Sequence, residues 1–185
     1  MKMEFPVHVD SGWCGPKTAV IKNLDQYTNA YHVNYRGGSD VEVRRGGPKG
    51  STIGRVTYHS WRNYTDVMFE NKQSSKLARE STFSKTETLV LPAAPKRSQF
   101  YWKRDRRMNG GAHIWLQDAD GVVLAEYSKK HVKSKDGALT LMVTGLTQEF
   151  VDQIFVSFVA ILEKLRRQRN EQIAAAAEVG AGAAG

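Results

Sequence analysis

The stretch from Phe150 to Arg167, read with Glu149 as EFVDQIFVSFVAILEKLRR, constrains this chain more than any other feature. It is apolar, lies near the C-terminus, and follows a chain that otherwise reads as strands. Plotted at about 100° per residue, Phe150, Val151, Ile154, Phe155, Phe158, Val159, Ile161, Leu162 and Leu165 fill an arc of about 180°. A surface helix carries an apolar stripe of about 100°, so this helix is expected to be enclosed on most sides. The remaining arc holds Asp152, Gln153, Val156, Ser157 and Ala160, which are small or mildly polar. Thr147 is the expected N-cap, with Gln148 and Glu149 in the first turn. Lys164, Arg166, Arg167 and Arg169 crowd the last turns and complement the helix dipole. The helix is predicted over about 147–168. A membrane span needs about 20 apolar residues. Phe150 to Leu162 supplies 13, with Asp152 and Gln153 among them. An interfacial helix would carry basic residues along its polar face, and here they sit at the C-terminal end. A core helix is therefore expected, ahead of a membrane anchor or a partner-binding helix.

The first 145 residues read as β-structure. Runs rich in β-branched and aromatic residues occur at Thr18–Ile21, Tyr31–Tyr35, Val41–Arg44, Thr52–His59, Asp66–Glu70, Lys76–Phe83, Gln99–Lys103, His113–Gln117, Val122–Tyr127 and Leu139–Val143. Turn signals separate them: Gly37-Gly38, Gly46-Gly47-Pro48, Gly110-Gly111, Asp120-Gly121 and Asp136-Gly137. An Asp-Gly pair between apolar runs marks a hairpin, because it tolerates the positive φ of tight hairpin turns. HIWLQDADGVVLAEY is expected to pair as a hairpin, and KSKDGALTLMV to turn into the next strand. Pro92-Ala93-Ala94-Pro95 cannot be strand interior and reads as a loop. Many short strands with regular turns indicate an all-β sandwich or barrel. From about Ala174 the tail is low in complexity and is expected to fray.

The formal net charge of +8 and pI near 9.6 favour anionic partners: membrane headgroups, nucleic acid or acidic ligands. Cys14 is the single cysteine, so no intrachain disulfide can form, which fits a reducing compartment. His8, His32, His59, His113 and His131 are scattered without zinc-type spacing, so no metal or cofactor is expected. The N-terminus MKMEFPVHVDSGW has no apolar leader region. The expectation is an intracellular protein, cytoplasmic or peripheral to a membrane. LRRQR is a weak nuclear signal, and a nuclear location stays open.

Three clusters hold 14 of the 27 basic residues. The first is Lys96, Arg97, Lys103, Arg104, Arg106 and Arg107, opposed only by Asp105. The second is Lys129, Lys130, Lys133 and Lys135, and the third is Lys164, Arg166, Arg167 and Arg169. Arg grips phosphate bidentately and Lys binds it as a point charge, so the first two clusters are the candidate anionic-ligand residues. The bland alternative is three unconnected solvated loops. Phe100, Tyr101 and Trp102 interleave the first cluster, a pattern that also suits single-stranded nucleic acid. Strand alternation sends Tyr101 to one face and Phe100 and Trp102 to the other, which makes part of this set core. Tyr58-His59-Ser60 with Asp66 has the residue types of a nucleophilic triad, yet neighbours on a strand face opposite ways. Glu70 and Glu126 read as isolated carboxylates, and no nucleophile elbow, phosphate loop or zinc-protease motif is present. Trp13, Trp61, Trp102 and Trp115 read as core or barrel-rim anchors.

The order of elements resembles the tubby C-terminal-like superfamily, which takes in the tubby proteins, the phospholipid scramblases and the plant LURP-one-related proteins. The resemblance is carried by GAHIWLQDADGVVLAEY, then KDGALTLMV, then GLTQEFVDQIFVSFVAILEKLRR, and it is closest to small fungal tubby-like proteins. It is good over about Gln99 to Arg169 and architectural before that. It implies a closed antiparallel barrel of twelve strands around a buried C-terminal helix, with 1–169 as one barrel domain and 170–185 as an unstructured tail. It also implies action at membranes, since tubby proteins bind phosphoinositide headgroups through basic residues. Scramblase activity is not carried over, because neither a calcium loop nor the extra membrane segment is visible. The resulting expectation is a non-catalytic protein that binds anionic phospholipid peripherally through its basic clusters. The alternative is a protein-interaction or accessory scaffold without a lipid ligand, with nucleic acid as a further, weaker partner class.

Overall fold

The computed structural model describes residues 2–182 apart from 13–14, 24, 26, 36–37, 82–83, 96–98, 107–111 and 130–135. Twelve strands precede one helix: β1 Met3–Gly12, β2 Gly15–Lys22, β3 Asn29–Tyr35, β4 Asp40–Arg45, β5 Thr52–Tyr58 and β6 Tyr64–Phe69. The series continues with β7 Ser74–Arg79, β8 Glu87–Val90, β9 Gln99–Arg106, β10 Ala112–Gln117, β11 Val123–Ser128 and β12 Asp136–Leu141, and ends in α1 Gln148–Gly182. Every strand pairs antiparallel with its sequence neighbours, and β1 pairs with β12 through Phe5↔Leu139 and its flanking residues. The barrel therefore closes and leaves no free sheet edge. This is the closed antiparallel barrel around a C-terminal helix expected from the sequence, and it is consistent with the tubby-like architecture in general.

Period-two alternation sorts the walls into an inner and an outer face. Tyr31 and Val33 of β3, Val41 and Val43 of β4, Leu77 of β7, and Phe100 and Trp102 of β9 all point inward and are buried. Tyr101 lies on the opposite face and is only half-buried, as alternation requires. The lumen they line is filled by the helix. Phe155 packs tilted against Tyr31 with ring centroids 4.1 Å apart, and Phe158 meets Tyr127 at 5.0 Å. The helix runs against β5, where a Cβ on Gly54 would lie 2.7 Å from the Val156 methyl groups, so only glycine permits this approach.

The polar arc of the helix is buried too, which places a partner requirement on each polar group. Trp102 Nε1 donates to Ser157 Oγ at 3.1 Å, and Ser157 Oγ donates to the Ile154 carbonyl at 2.8 Å. The Ala93 amide donates to Gln153 Oε1 at 2.9 Å. Thr147 caps the helix as expected, accepting from the Phe150 amide at 3.3 Å. Among the described residues, no helix is long and apolar enough to cross a membrane.

Four expectations change. β1 and β8 are strands that the sequence pattern did not mark. Asp136-Gly137 is not a turn but the start of β12, and Gly137 is required because a Cβ there would sit 2.4 Å from the Tyr127 hydroxyl. The helix does not end near 168 in an unstructured tail. It continues to Gly182, because Ala174 to Ala177 is a strong helix-forming run with no breaker before it. Pro92 to Pro95, by contrast, does lie outside β8 and β9.

Candidate anion-binding end of the barrel

Because strand directions alternate, the connections fall into two sets, one at each barrel end. The helix enters at the end that holds the β4–β5, β6–β7 and β8–β9 connections. It leaves at the end that holds β3–β4, β5–β6, β7–β8, β9–β10 and β11–β12, where Lys164 Nζ donates to the Asn63 carbonyl at 3.2 Å. Formal charge divides unevenly between them. At the exit end, 36–39, 59–63 and 107–111 carry one positive charge each, 129–135 carries four, and 13–14 and 80–86 carry none, for a total of +7. At the entry end, 46–51 contributes +1 and 91–98 contributes +2, while 23–28 contributes −1 and 118–122 contributes −2; the rest are neutral and the total is zero.

This division splits the first predicted cluster. Lys96 and Arg97 belong to the β8–β9 connection, which starts and ends at the entry end through the pair Val90↔Gln99. Arg106 stands at the other end of β9, roughly 25 Å from Gln99 along the strand. Lys103 and Arg104 alternate to opposite faces, Lys103 outward beside Trp115 and Arg104 inward beside the buried Ile114. The strand register sets the bases of two connections side by side. Arg106 pairs with Ala112, His113 pairs with Ser128, and Ser128 pairs with Ala138, so the β9–β10 and β11–β12 hairpins are neighbours at the exit end. Lys129 follows Ser128 there, half-buried and in contact with another group. Lys96, Arg97, Arg107, Lys130, Lys133 and Lys135 lie outside the described residues, as does the side chain of Arg106.

Three of the four residues of the third cluster are consumed by the fold, and Arg169 is exposed. Lys164 is 4 % exposed in its side chain and donates to Glu87 Oε2 at 2.6 Å. Burial lowers its pKa, and Glu87 opposes that effect without cancelling it. Arg166 and Arg167 both grip the buried Glu163, at 2.7 and 2.5 Å to Oε1. Burial pushes the Glu163 carboxyl up, but the hydrogen bonds from the two guanidiniums hold it below its ordinary value. Arg167 also donates to the Gly38 carbonyl and lies over the Tyr58 ring, and Arg166 lies over Tyr35. These residues seal the exit mouth against β3 to β5.

The entry mouth is sealed by a different group. Asp152, 5 % exposed, accepts from the Tyr31 hydroxyl at 2.8 Å, from Gln148 Nε2 at 2.9 Å, and from Arg45. Burial and the adjacent Asp152 carboxylate push the Tyr31 hydroxyl far up.

Two carboxylates that read as isolated are paired. Glu126 lies 2.7 Å from His113 Nε2, because the two are diagonal neighbours on the outer face of β10 and β11. Glu70 lies 3.7 Å from Arg45. His59 pairs with Asp66 at 2.7 Å, while Ser60 sits exposed on the adjoining turn, so no triad assembles. Of the tryptophans, Trp102 is core, Trp115 is half-buried on the outer wall, Trp61 is exposed on the β5–β6 turn, and Trp13 lies outside the described residues. A shallow depression of about 310 Å³ on the outer wall is lined by Lys2, Glu4, Glu126, Ser128, Thr140 and Met142. Among the described residues, no group of His, Cys, Asp or Glu is arranged to hold a metal ion.

A family model described as a family of unknown function, DUF6593, matches residues 16–168. No curated protein and no solved structure matches the chain significantly.

Proposed function

The chain belongs to the family of unknown function DUF6593, and we propose that it is a non-catalytic tubby-like module, kin to small fungal members of that architecture, that binds anionic phospholipid peripherally. The observation that carries the reading is the charge asymmetry of the barrel: +7 in the exit-end connections against zero at the entry end. Five of those charges belong to two neighbouring hairpins, β9–β10 and β11–β12. Near an anionic bilayer, each such residue contributes about 1 kcal/mol. Lys129, Lys130, Lys133 and Lys135 together with Arg106 and Arg107 are the contact residues, in a cytoplasmic or membrane-peripheral setting. Lys96 and Arg97 contribute little, because their connection leaves from the opposite end.

The test is co-sedimentation with neutral, phosphatidylserine and phosphoinositide vesicles at two salt concentrations. Salt-sensitive binding to anionic vesicles, lost when Lys129, Lys130, Lys133 and Lys135 become Ala, is expected. Preference for the phosphoinositide vesicles would identify the headgroup class. Absence of binding at low salt would sink the reading. A second reading, a protein-interaction module without a lipid ligand, draws on the exposed helix residues Arg169 to Ala177.

A further inference from the structure

Large apolar side chains left in water are few on this barrel, and one stands apart. Among the described residues, Tyr27, Met68, Val90 and Val122 are exposed at or toward the entry end, and Ile173 is exposed on the helix. Trp61 is 84 % exposed and sits instead on the β5–β6 turn at the exit end. The turn that carries it is fastened on several sides. The Arg62 amide donates to the His59 carbonyl at 3.4 Å, and His59 Nε2 pairs with Asp66 at 2.7 Å. The Asn63 carbonyl accepts from the Arg79 amide at 3.5 Å and from Lys164 Nζ at 3.2 Å. Two exposed cations gather on the neighbouring Tyr64. Arg62 donates to the Tyr64 hydroxyl and its guanidinium lies 5.4 Å from the ring centre, while Lys76 Nζ lies 4.5 Å from that centre. Tyr64 and Lys76 belong to the outer wall, because Thr65 and Leu77 between them and their strand neighbours turn inward and are buried.

We propose that Trp61 is an interfacial membrane anchor, its indole entering the boundary between headgroups and acyl chains of an anionic bilayer while Arg62 and Lys76 face lipid phosphates beside it. An indole has an apolar body and a single N–H donor, which suits that boundary better than either water or hydrocarbon. Cations next to it complement the negative surface of such a bilayer. A protein partner would need a wider patch, since a stable interface covers about 800 Å² of each surface around an apolar centre. Around Trp61 the exposed neighbours Ser60, Arg62 and Asn63 are polar. The fastened turn presents the ring without a loop to be ordered first, so insertion loses little backbone freedom. The β5–β6 turn lies across the twelve-strand barrel from the β11–β12 connection. The anchor therefore rests on the anionic-lipid reading and adds to it an apolar contact at a second place on the same end.

The experiment reads tryptophan fluorescence of the full chain on phosphatidylserine vesicles whose acyl chains carry bromine, a quencher confined to the bilayer. Wild type should be quenched on binding, and Trp61→Phe should lose that quenching. Quenching that persists in Trp61→Phe would put a different tryptophan in the bilayer and overturn the assignment. Vesicle affinity is then measured at two salt concentrations. Trp61→Ala should bind roughly tenfold more weakly. Its ratio to wild type should be the same at both salts, because burial of apolar surface is not screened. Its melting temperature should match wild type, as expected for a fully exposed turn position. Tyr27→Ala, which removes the comparably exposed ring at the entry end, should bind like wild type. An equal loss in both variants would mean that any exposed ring serves, and would overturn the anchor. Anionic vesicles that bind with no quenching, and with no loss in Trp61→Ala, remove the anchor and leave the lipid reading intact. Wild type that binds no vesicle at low salt removes both.

Discussion

The two mouths of this barrel solve the same problem with different charge balances. At each, a polar turn of an otherwise apolar helix meets the wall through a buried carboxylate and a cation. At the entry mouth, Asp152 is met by Tyr31, Gln148 and Arg45, and Arg45 turns in addition toward Glu70. One guanidinium there serves two carboxylates, and the surrounding connections sum to zero. At the exit mouth, Glu163 is matched by Arg166 and Arg167, while Glu87 alone faces Lys164, Arg79 and the reach of Arg104. The connections around it sum to +7. A basic residue count therefore overstates what a ligand can use, because most of the helix cluster is committed to sealing the barrel.

The comparison can be broken first at what both mouths share, the helix itself. Phe158 is fully buried between Trp102 and Tyr127, so Phe158→Asp should abolish soluble folded protein, read by expression and circular dichroism. A folded variant with an unchanged spectrum would contradict the enclosed helix. Next come the two seals. Lys164→Ala removes the nearest cation from the buried Glu87, leaves it the longer 3.6 Å contact with Arg79, and should cost about 3 kcal/mol in denaturant unfolding. Asp152→Ala should cost less, about 1–3 kcal/mol, because Arg45 is 44 % exposed and water can take over its charge. Equal losses would mean that the two seals are alike.

Acidification sharpens the contrast with a smaller effect. Glu163 has a folded pKa below its ordinary 4.5, so its contribution is complete above that value and is lost as pH falls through the lower folded one. Wild type should lose stability over that range more steeply than Glu163→Gln, measured by unfolding at a series of pH values. Parallel curves for the two proteins would show that the Arg166–Glu163–Arg167 clamp contributes nothing there.

How much of this was legible in the sequence depends on whether a feature is local. The helix could be read because its apolar arc and the Thr147 cap lie in one continuous stretch, and most strands because alternation is a two-residue property. β8 escaped because its inward Glu87 breaks the apolar pattern, and the reason for Glu87 is Lys164, far along the chain. β1 escaped because Met3 to Gly12 carries Pro6, His8 and Asp10, and its strand character comes from closing the barrel between β12 and β2. The basic clusters were visible as sequence neighbours, but neighbours along β9 are separated by the length of the strand. Only the register joins Arg106 to Ser128 through β10. Only the alternation parts Lys103 from Arg104.

The most direct test of the central claim sets the two ends against each other on one membrane. Two variants are compared with wild type on phosphatidylserine vesicles at low salt: Lys129, Lys130, Lys133 and Lys135 changed to Ala at the exit end, and Lys96 and Arg97 changed to Ala at the entry end. Affinity should fall by more than about a hundredfold in the first and by less than about threefold in the second. A loss that merely tracks the number of charges removed, wherever they stand, would mean that the barrel has no binding end and would contradict the account.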